Sequence, residues 1–223
     1  MATDLRYRNA GNKILLDLIR REPGSALDCG CGAGDNARLL TGRGWSVTGV
    51  THDPAELKVA EEVCEAVYLR DLTDGLPFAA DGSYDLVLLS HVLEHLVDPA
   101  RLLAEARRVV AEDGLVAVAL PNVLHYSQRA KFIRGRFEYT QTGVMDATHL
   151  RFFTFDSALQ MVRDSGLDVV STLPDGGLPW WRLRNVLSSG VTGRLDQWAA
   201  RRRPNLLCWQ AVFLARPLPS WAA

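Results

Sequence analysis

Closely spaced glycines follow the first apolar segment of the chain, and they constrain the fold more than any other feature. Residues 26–35 read Ala-Leu-Asp-Cys-Gly-Cys-Gly-Ala-Gly-Asp, so Gly30, Gly32 and Gly34 alternate shortly after the acidic Asp28. Glycine lets the backbone turn tightly and approach a ligand, and a helix that starts next presents unpaired N–H groups. The pattern predicts a strand, a ligand-binding turn and a helix, with a purely structural turn as the alternative.

The spacing of the glycines argues against a nicotinamide dinucleotide site. That fingerprint reads G-x-G-x-x-G. Here the third glycine, Gly34, comes one position early, and Asp35 stands where it is required. The turn therefore indicates a different adenosine-type ligand.

Composition limits the classes of protein that this chain can belong to. The 223 residues are 48% hydrophobic, enough for one sizeable core, and we expect a single domain over residues 1–223. A net charge of -1 predicts no nucleic-acid partner. An uninterrupted apolar run of about 18 residues is absent, so we expect no stable membrane insertion and a cytoplasmic location. The four cysteines form no C-x-x-C pair of the kind found in zinc sites or thioredoxin-like proteins.

Strand-like and helix-like segments alternate along most of the chain, which predicts a parallel sheet with right-handed crossovers. Two segments break this alternation, at about residues 121–150 and 176–204. We interpret both as cap insertions and expect the first to bind substrate. The predicted strands are Ser25–Asp28, Ser46–Val50, Val67–Leu69, Asp85–Ser90, Leu115–Leu120, Leu167–Leu173 and Asn205–Ala215.

The helix after the second strand carries clear start signals. Asp53 is the predicted N-cap, Pro54 the first helical residue, and Glu56 the capping-box partner that reaches back to the N-cap.

The landmarks resemble, in order, those of the class I S-adenosylmethionine (SAM)-dependent methyltransferases. The glycine turn is similar to their motif I, residues 71–78 to the region after strand three, and residues 85–96 to the strand-four block. The resemblance covers about residues 14–215. It implies an α/β, doubly wound, mostly parallel sheet of seven strands in the order 3-2-1-4-5-7-6, with the last strand antiparallel. The segment Thr148–Thr154 is similar to a branch that acts on sugars, polysaccharides and natural products.

The resemblance also implies roles for individual residues. Asp28 and Gly30 would hold the ammonium group of SAM, and the turn from Gly30 through Gly32 to Gly34 would pass beneath its methionine part. Asp71 would accept a hydrogen bond from the adenine amino group, and the backbone N–H of Leu72 would donate one to the adenine ring. Ser90 would lie near the methionine end of the cofactor.

The chain departs from the family pattern at one cofactor position. The family places an acid at the end of strand two to accept both ribose hydroxyls, and Thr51 occupies that place here. A neutral hydroxyl cannot act as a charge-assisted, bidentate acceptor. Either affinity for the cofactor is reduced, or Asp53 or His52 compensates, or the ligand is not ordinary SAM. Asp53 has a sufficient structural role as N-cap.

Three histidines are candidates for accepting a proton from the substrate, because an imidazole titrates near neutral pH. His91 follows Ser90 at the end of strand four, His125 follows strand five, and His149 lies where the first insertion rejoins the core. Each also has a structural alternative: packing at a helix start, a solvated loop, or anchoring of the cap.

Other polar and aromatic groups have open interpretations. His91, Glu94 and His95 share one helix face and form a possible divalent-cation site, although we predict no metal. Basic residues of the first insertion either bind an anionic acceptor or stay solvated, and they are Arg129, Lys131, Arg134 and Arg136. Trp180 and Trp181 either pack internally or contact a sugar or a membrane surface.

The leading hypothesis is a bacterial SAM-dependent methyltransferase, monomeric or homodimeric, that methylates a small polar acceptor. The acceptor is a sugar, a nucleoside or another natural-product intermediate, and oxygen is the expected target atom. The rival hypothesis, motivated by Thr51, is a protein of the same fold that binds, scaffolds or catalyses another reaction.

Overall fold

Seven strands form one sheet in the computed structural model, which describes residues 10–179 and 189–218. The strands are β1 (Ser25–Cys29), β2 (Ser46–Thr51), β3 (Ala66–Leu69), β4 (Tyr84–Ser90), β5 (Val110–Pro121), β6 (Leu167–Gly176) and β7 (Cys208–Pro217).

Helices connect these strands and cover both faces of the sheet. They are α1 (Lys13–Leu16), α2 (Asp35–Thr41), α3 (Pro54–Ala60), α4 (Pro99–Val109), α5 (Tyr126–Ile133), α6 (Phe155–Asp164), α7 (Ser189–Arg202) and α8 (Pro204–Leu207). Among the described residues, no helix is both long enough and apolar enough to traverse a lipid bilayer.

The order of the strands is β3-β2-β1-β4-β5-β7-β6. The first five strands in this order pair in parallel, whereas β7 runs antiparallel to both β5 and β6. The predicted fold class is therefore confirmed. Because β7 is antiparallel, its first residues lie beside the last residues of β5, with Gln210 opposite Pro121.

Alternating side chains of the central strands fill two separate cores, one on each face of the sheet. In β4, Leu86 and Leu88 pack with α1 and α2, whereas Val87 and Leu89 pack with α4 and α6. All four side chains are fully buried. Strands buried on both faces are nearly continuous apolar runs, and this explains why the sequence predicts them well.

The start of β7 differs from its prediction. Residues 205–207 belong to α8, a single turn that has Pro204 at its first position, and the strand begins only at Cys208. Proline favours the first turn of a helix because its φ is already helical and its missing N–H is not needed there.

Both predicted insertions contain helices. The first holds α5 and an irregular segment that returns to the sheet through the pairing of Asn122 with Phe153. The described part of the second holds α7, while Trp180 and Trp181 lie outside the described residues. The division of the chain into one domain with two caps stays a prediction.

Gly34 determines how α2 packs against α3. It is the N-cap of α2 with φ +83°, and a Cβ atom there would come within 2.7 Å of Val63 Cγ2. An L side chain would be strained in this backbone conformation and would also collide with its neighbour. The turn therefore needs this glycine for packing.

We predict that Gly34→Ala lowers the free energy of unfolding by about 2–5 kcal/mol, the sum of left-handed backbone strain and overpacking. Gly135→Ala is the matched control, since Gly135 has φ +73° and a Cβ atom there would have no neighbour within 4 Å. The control variant should lose only about 1–2 kcal/mol. Urea unfolding of both variants measures the difference, and equal losses would contradict the packing role.

Candidate active site

A cleft of about 1190 Å³ opens at the carboxyl ends of the central strands. Ligands of open α/β sheets bind at this edge. The predicted site residues that line the cleft are Gly30, Gly32, Thr51, Asp53, Asp71, Leu72, Ser90, His91 and His149. Three other predicted site residues, Asp28, Gly34 and His125, are not among its lining residues.

The glycine turn is held between two strand ends. Gly30 and Gly32 have φ values of +74° and +54°, and the intervening Cys31 N–H donates to Val50 O at 2.8 Å. A Cβ atom on Gly30 would lie 2.4 Å from Val92 Cγ2. The turn therefore packs against the end of β2 and the segment that follows β4, and it forms part of the cleft wall.

Asp28 lies behind this turn as a completely buried acid. Neither of its carboxylate oxygens accepts a hydrogen bond within the described part of the chain. Burial raises the pKa of Asp28 to about 7, because the charged form loses its hydration. A cation bound in front of the turn would favour ionisation. Asp28 thus fits the expected role near a ligand ammonium group, without reaching the cleft surface itself.

A buried acid, Glu56, lies beside Thr51 at the predicted ribose position. Thr51 and Glu56 are both 3% exposed and line the cleft, and Thr51 Oγ1 donates to Glu56 Oε2 at 3.1 Å. The capping-box role predicted for Glu56 is therefore wrong. Asp53 caps α3 as predicted, accepting from Ala55 N at 2.7 Å.

Asp71 and Leu72 lie at the edge of the cleft after β3. The Asp71 carboxylate accepts from Thr73 N at 2.8 Å and caps a short 3-10 turn. This backbone hydrogen bond is the main reason that the pKa of Asp71 lies below its usual value. An ionised acceptor therefore stands at the predicted adenine position.

Ser90 joins a hydrogen-bond network that spans three distant parts of the chain. Asn12, the N-cap of α1, donates its Nδ2 to Ser90 Oγ at 3.3 Å and to Gln210 Oε1 at 3.0 Å. Gln210 comes from the start of β7. Asn12 and Gln210 both line the cleft.

His91 is the single non-glycine residue with positive φ, +56°, in the described part of the chain. Its Nδ1 lies 3.3 Å from Glu94 Oε1, and its Nε2 lies 2.9 Å from Gln210 Oε1. The Gln210 amide nitrogen donates to Asp175 Oδ2 at 2.9 Å, so the amide oxygen faces His91. Both imidazole nitrogens therefore face acceptors.

This environment favours the imidazolium form of His91. Loss of hydration alone would lower its pKa, but the neighbouring Glu94 carboxylate, together with Gln210, outweighs this effect and raises the pKa above its usual value. Strained backbone conformations of this kind concentrate at functional sites.

His149 is oriented differently. Its Nδ1 lies 3.0 Å from the carbonyl oxygen of Val144, which requires the proton to be on Nδ1. Its Nε2 lies 4.0 Å from Glu94 Oε1, beyond a direct hydrogen bond. The two histidines thus approach the same carboxylate oxygen, and His149 Nε2 carries no proton in this tautomer.

A possible metal-ligand cluster exists, with a different membership from the one predicted. Ligand atoms of Glu94, His95 and His149 lie within 4.8 Å of one another, whereas His91 is not part of this group. His95 Nδ1 lies 3.2 Å from Thr148 O. Burial is the main reason that the pKa of His95 lies below its usual value. Neutral imidazoles and a carboxylate are suitable ligands for a divalent cation.

His125 lies beneath the surface of the cleft. It is fully buried, caps α5 through Ser127, and stacks on Trp209 with 3.7 Å between ring centroids. Burial lowers the pKa of His125 to about 4. Trp209 lines the cleft, so His125 acts there by supporting an aromatic wall.

The cap contributes a different set of residues from the predicted one. Three of its basic side chains have local partners: Arg129 donates to Leu124 O, Arg134 donates to Ala130 O, and Arg136 pairs with Glu138. None of them, nor Lys131, is among the lining residues. The cap lines the cleft instead through part of residues 142–150.

Comparison with known proteins adds to this geometry. A family model described as a methyltransferase domain matches residues 1–172. The chain belongs to this methyltransferase family. It is 26% identical over 183 residues to a demethylmenaquinone methyltransferase of Thermotoga maritima, covering 74% of this chain and 78% of the relative.

Two further comparisons describe the extent of the likeness. The chain is 40% identical over 96 residues to an uncharacterized methyltransferase of Mycobacterium sp. (strain KMS), a match to 43% of this chain and only 38% of the relative. The crystal structure of a SAM-dependent methyltransferase from Archaeoglobus fulgidus superposes with a TM-score of 0.63 at 19% identity, covering 87% and 86% of the two chains. Family and fold together indicate SAM as the cofactor of this methyltransferase domain.

Several residues that line the cleft were absent from the predicted site, namely Asn12, Glu56, Trp209 and Gln210. An available signal was the antiparallel direction of the last strand, since it brings the start of that strand to the carboxyl edge of the sheet. Glu56 had no comparable signal, because a glutamate three residues after an aspartate before a helix is typical of a capping box.

We predict that Asp28 makes the ligand-free protein less stable as pH rises. Its folded pKa of about 7 exceeds the unfolded value of about 3.9, so the folded state binds the proton more tightly. Stability is therefore lost between these two values, by on the order of 4 kcal/mol, and stays low above them.

Urea unfolding of wild type and Asp28→Asn at about pH 5 and about pH 8 measures this effect. The asparagine variant should lose much less stability over this interval, because it has no carboxyl group to ionise. Asp168→Asn, which replaces an exposed acid, is the control and should follow wild type. An Asp28→Asn variant with the wild-type pH dependence would contradict the prediction.

Proposed function

We propose that this protein transfers the methyl group of SAM to a hydroxyl oxygen of a small, uncharged ring compound. The acceptor is a sugar, a nucleoside or another natural-product intermediate. The observation that carries the proposal is the approach of His91 and His149 to one oxygen of Glu94, in the wall of the same cleft as the glycine turn.

The residues present fit the cofactor. Gly30 and Gly32 bring positive-φ backbone to the wall of the cleft, and the orphaned Asp28 carboxylate lies behind this turn. When bound, SAM supplies an activated methyl group, so the protein mainly needs to align the acceptor and exclude water.

His149 is assigned the role of general base. Its Nδ1–H is fixed by the Val144 carbonyl, which leaves Nε2 to accept the proton that the acceptor hydroxyl loses as its oxygen forms the new bond to carbon. Glu94 lies 4.0 Å away and stabilises the imidazolium that results.

His91 is assigned a positioning role. With both ring nitrogens facing acceptors, it has no lone pair available for the proton of the substrate. When it is protonated, the His91 ring at the end of β4 stabilises negative charge that develops on the acceptor oxygen. Gln210 and Glu94 hold the ring in this orientation.

The wall of the acceptor region suits an uncharged ring. Trp209 offers an aromatic surface, and sugars and planar rings stack on such surfaces. The acidic groups Glu94, Asp146 and Asp175 also line this region, which disfavours an anionic acceptor. The Thermotoga relative is named for a small-molecule acceptor, which supports a small molecule here.

A second candidate mechanism uses a divalent cation. Glu94, His95 and His149 would hold it, and the cation would acidify the acceptor hydroxyl. The grouping of the three ligand atoms within 4.8 Å of one another favours this mechanism, in which His149 is a ligand and not a base.

Chelation distinguishes the two mechanisms. With His149 as base, we predict that extensive dialysis against EDTA leaves methyl transfer unchanged. An activity that disappears on dialysis and returns with added Mg²⁺ or Mn²⁺ would instead support the metal mechanism.

We predict that the purified protein binds S-adenosylhomocysteine, and that His149→Gln reduces methyl transfer at least about 100-fold with cofactor affinity unchanged. Calorimetry measures binding. Mass spectrometry detects the added methyl group in a panel of sugars, nucleosides and phenolic intermediates.

Two results would contradict the proposal in different ways. Lack of S-adenosylhomocysteine binding at millimolar concentration would favour the rival hypothesis of a repurposed pocket. Full turnover by His149→Gln would leave the enzyme class intact and remove the assigned base.

A further inference from the structure

Glu56 is a buried acid in the cleft wall that the proposed chemistry does not use. Its side chain projects from the first turn of α3 toward β2, and only 3% of the residue is exposed. Oε2 accepts from Thr51 Oγ1 at 3.1 Å, whereas Oε1 has no hydrogen-bond donor in the described part of the chain. A buried carboxylate oxygen without a donor is costly, so it indicates a missing ligand group.

The surroundings of Glu56 do not stabilise its charge in the absence of a ligand. Burial is the largest influence and raises its pKa, and the neighbouring Asp53 and Asp35 act in the same direction. The Thr51 hydrogen bond and His52 only partly oppose this effect. A ligand that donates hydroxyl hydrogens would lower the free energy of the ionised form.

Other acids beside the end of β2 are less suitable acceptors. Asp53 already accepts from Ala55 N at 2.7 Å, and this bond starts α3. Asp71 accepts from Thr73 N at 2.8 Å after the neighbouring strand. Among these acids, Glu56 alone has a buried carboxylate oxygen without a donor in the described part of the chain.

Thr51 places a second hydrogen-bond acceptor beside this carboxylate. Its hydroxyl donates to Glu56 and accepts a weak hydrogen bond from Asp53 N at 3.3 Å. A hydroxyl has two lone pairs, so Thr51 can accept from one more donor while it remains bound to Glu56. Thr51 and Glu56 together therefore offer two acceptors side by side, one neutral and one charged.

We propose that Thr51 and Glu56 jointly bind a vicinal diol, the 2′- and 3′-hydroxyl groups of an adenosine ribose. Glu56 Oε1 accepts from one hydroxyl and Thr51 Oγ1 accepts from the other. The acid that the strand end lacks is supplied from the adjacent helix. The inference rests on the proposed function, since it places the cofactor in this cleft.

The test compares ligands with and without the diol. Calorimetry with S-adenosylhomocysteine, adenosine and 2′,3′-dideoxyadenosine is carried out on wild type and Glu56→Gln. The variant should bind S-adenosylhomocysteine about 10- to 100-fold more weakly, because it loses a charge-assisted hydrogen bond. The preference of wild type for adenosine over the dideoxy compound should largely disappear.

Further variants test whether a loss of binding in Glu56→Gln is specific to the diol contact. Glu61→Gln replaces an exposed acid at the end of the same helix and should bind as wild type. Adding Thr51→Asp to Glu56→Gln should restore most of the affinity, because it returns an acid to the strand end. If Glu56→Gln does not fold, Thr51→Val takes its place, and it should weaken binding of diol ligands only.

The outcomes separate the two proposals. If wild type binds S-adenosylhomocysteine and the folded Glu56→Gln binds it equally well, the diol assignment is overturned while the proposed function stands. If wild type does not bind S-adenosylhomocysteine, the proposed function fails and the diol assignment fails with it.

Discussion

Glu94 is the buried residue on which the histidine-bearing part of the cleft depends. Its backbone oxygen accepts from Leu150 N and Arg151 N at 2.8 and 3.0 Å, which fixes the returning end of the cap to the segment after β4. Its side chain, 1% exposed, approaches His91 and His149. Both of its carboxylate oxygens are buried without a hydrogen-bond donor among the described residues, so the two nearby imidazoles are placed to offset the cost of burying them. One residue thus joins the sheet, the cap and both histidines.

The features that sequence predicts well are local or periodic. The glycine turn depends on the φ values of Gly30, Gly32 and Gly34, which are all positive, and such conformations are readable from residue type alone. The central strands are apolar on both faces and are equally easy to recognise. The position of Asp53 as N-cap follows from the next residue, Pro54.

The features that sequence misses depend on contacts between distant segments or on competition between two local partners. Gln210 meets His91 across 119 positions, which no local pattern encodes. Glu56 had two possible partners: the backbone at the start of α3 and the Thr51 hydroxyl. Helix-start statistics favour the backbone. The side chain turns to the strand, so the rule failed at a residue that lines the cleft.

This failure has a physical meaning when Glu56 and Asp28 are considered together. Both are buried acids beside the cleft, both have raised pKa values, and both have carboxylate oxygens without donors among the described residues. Each lowers the stability of the ligand-free fold. A ligand that presents an ammonium group and two hydroxyls would reverse these two losses at once. Part of its binding free energy would then come from relieving the unfavourable burial of these two acids. Binding and folding are therefore coupled through the same two carboxylates.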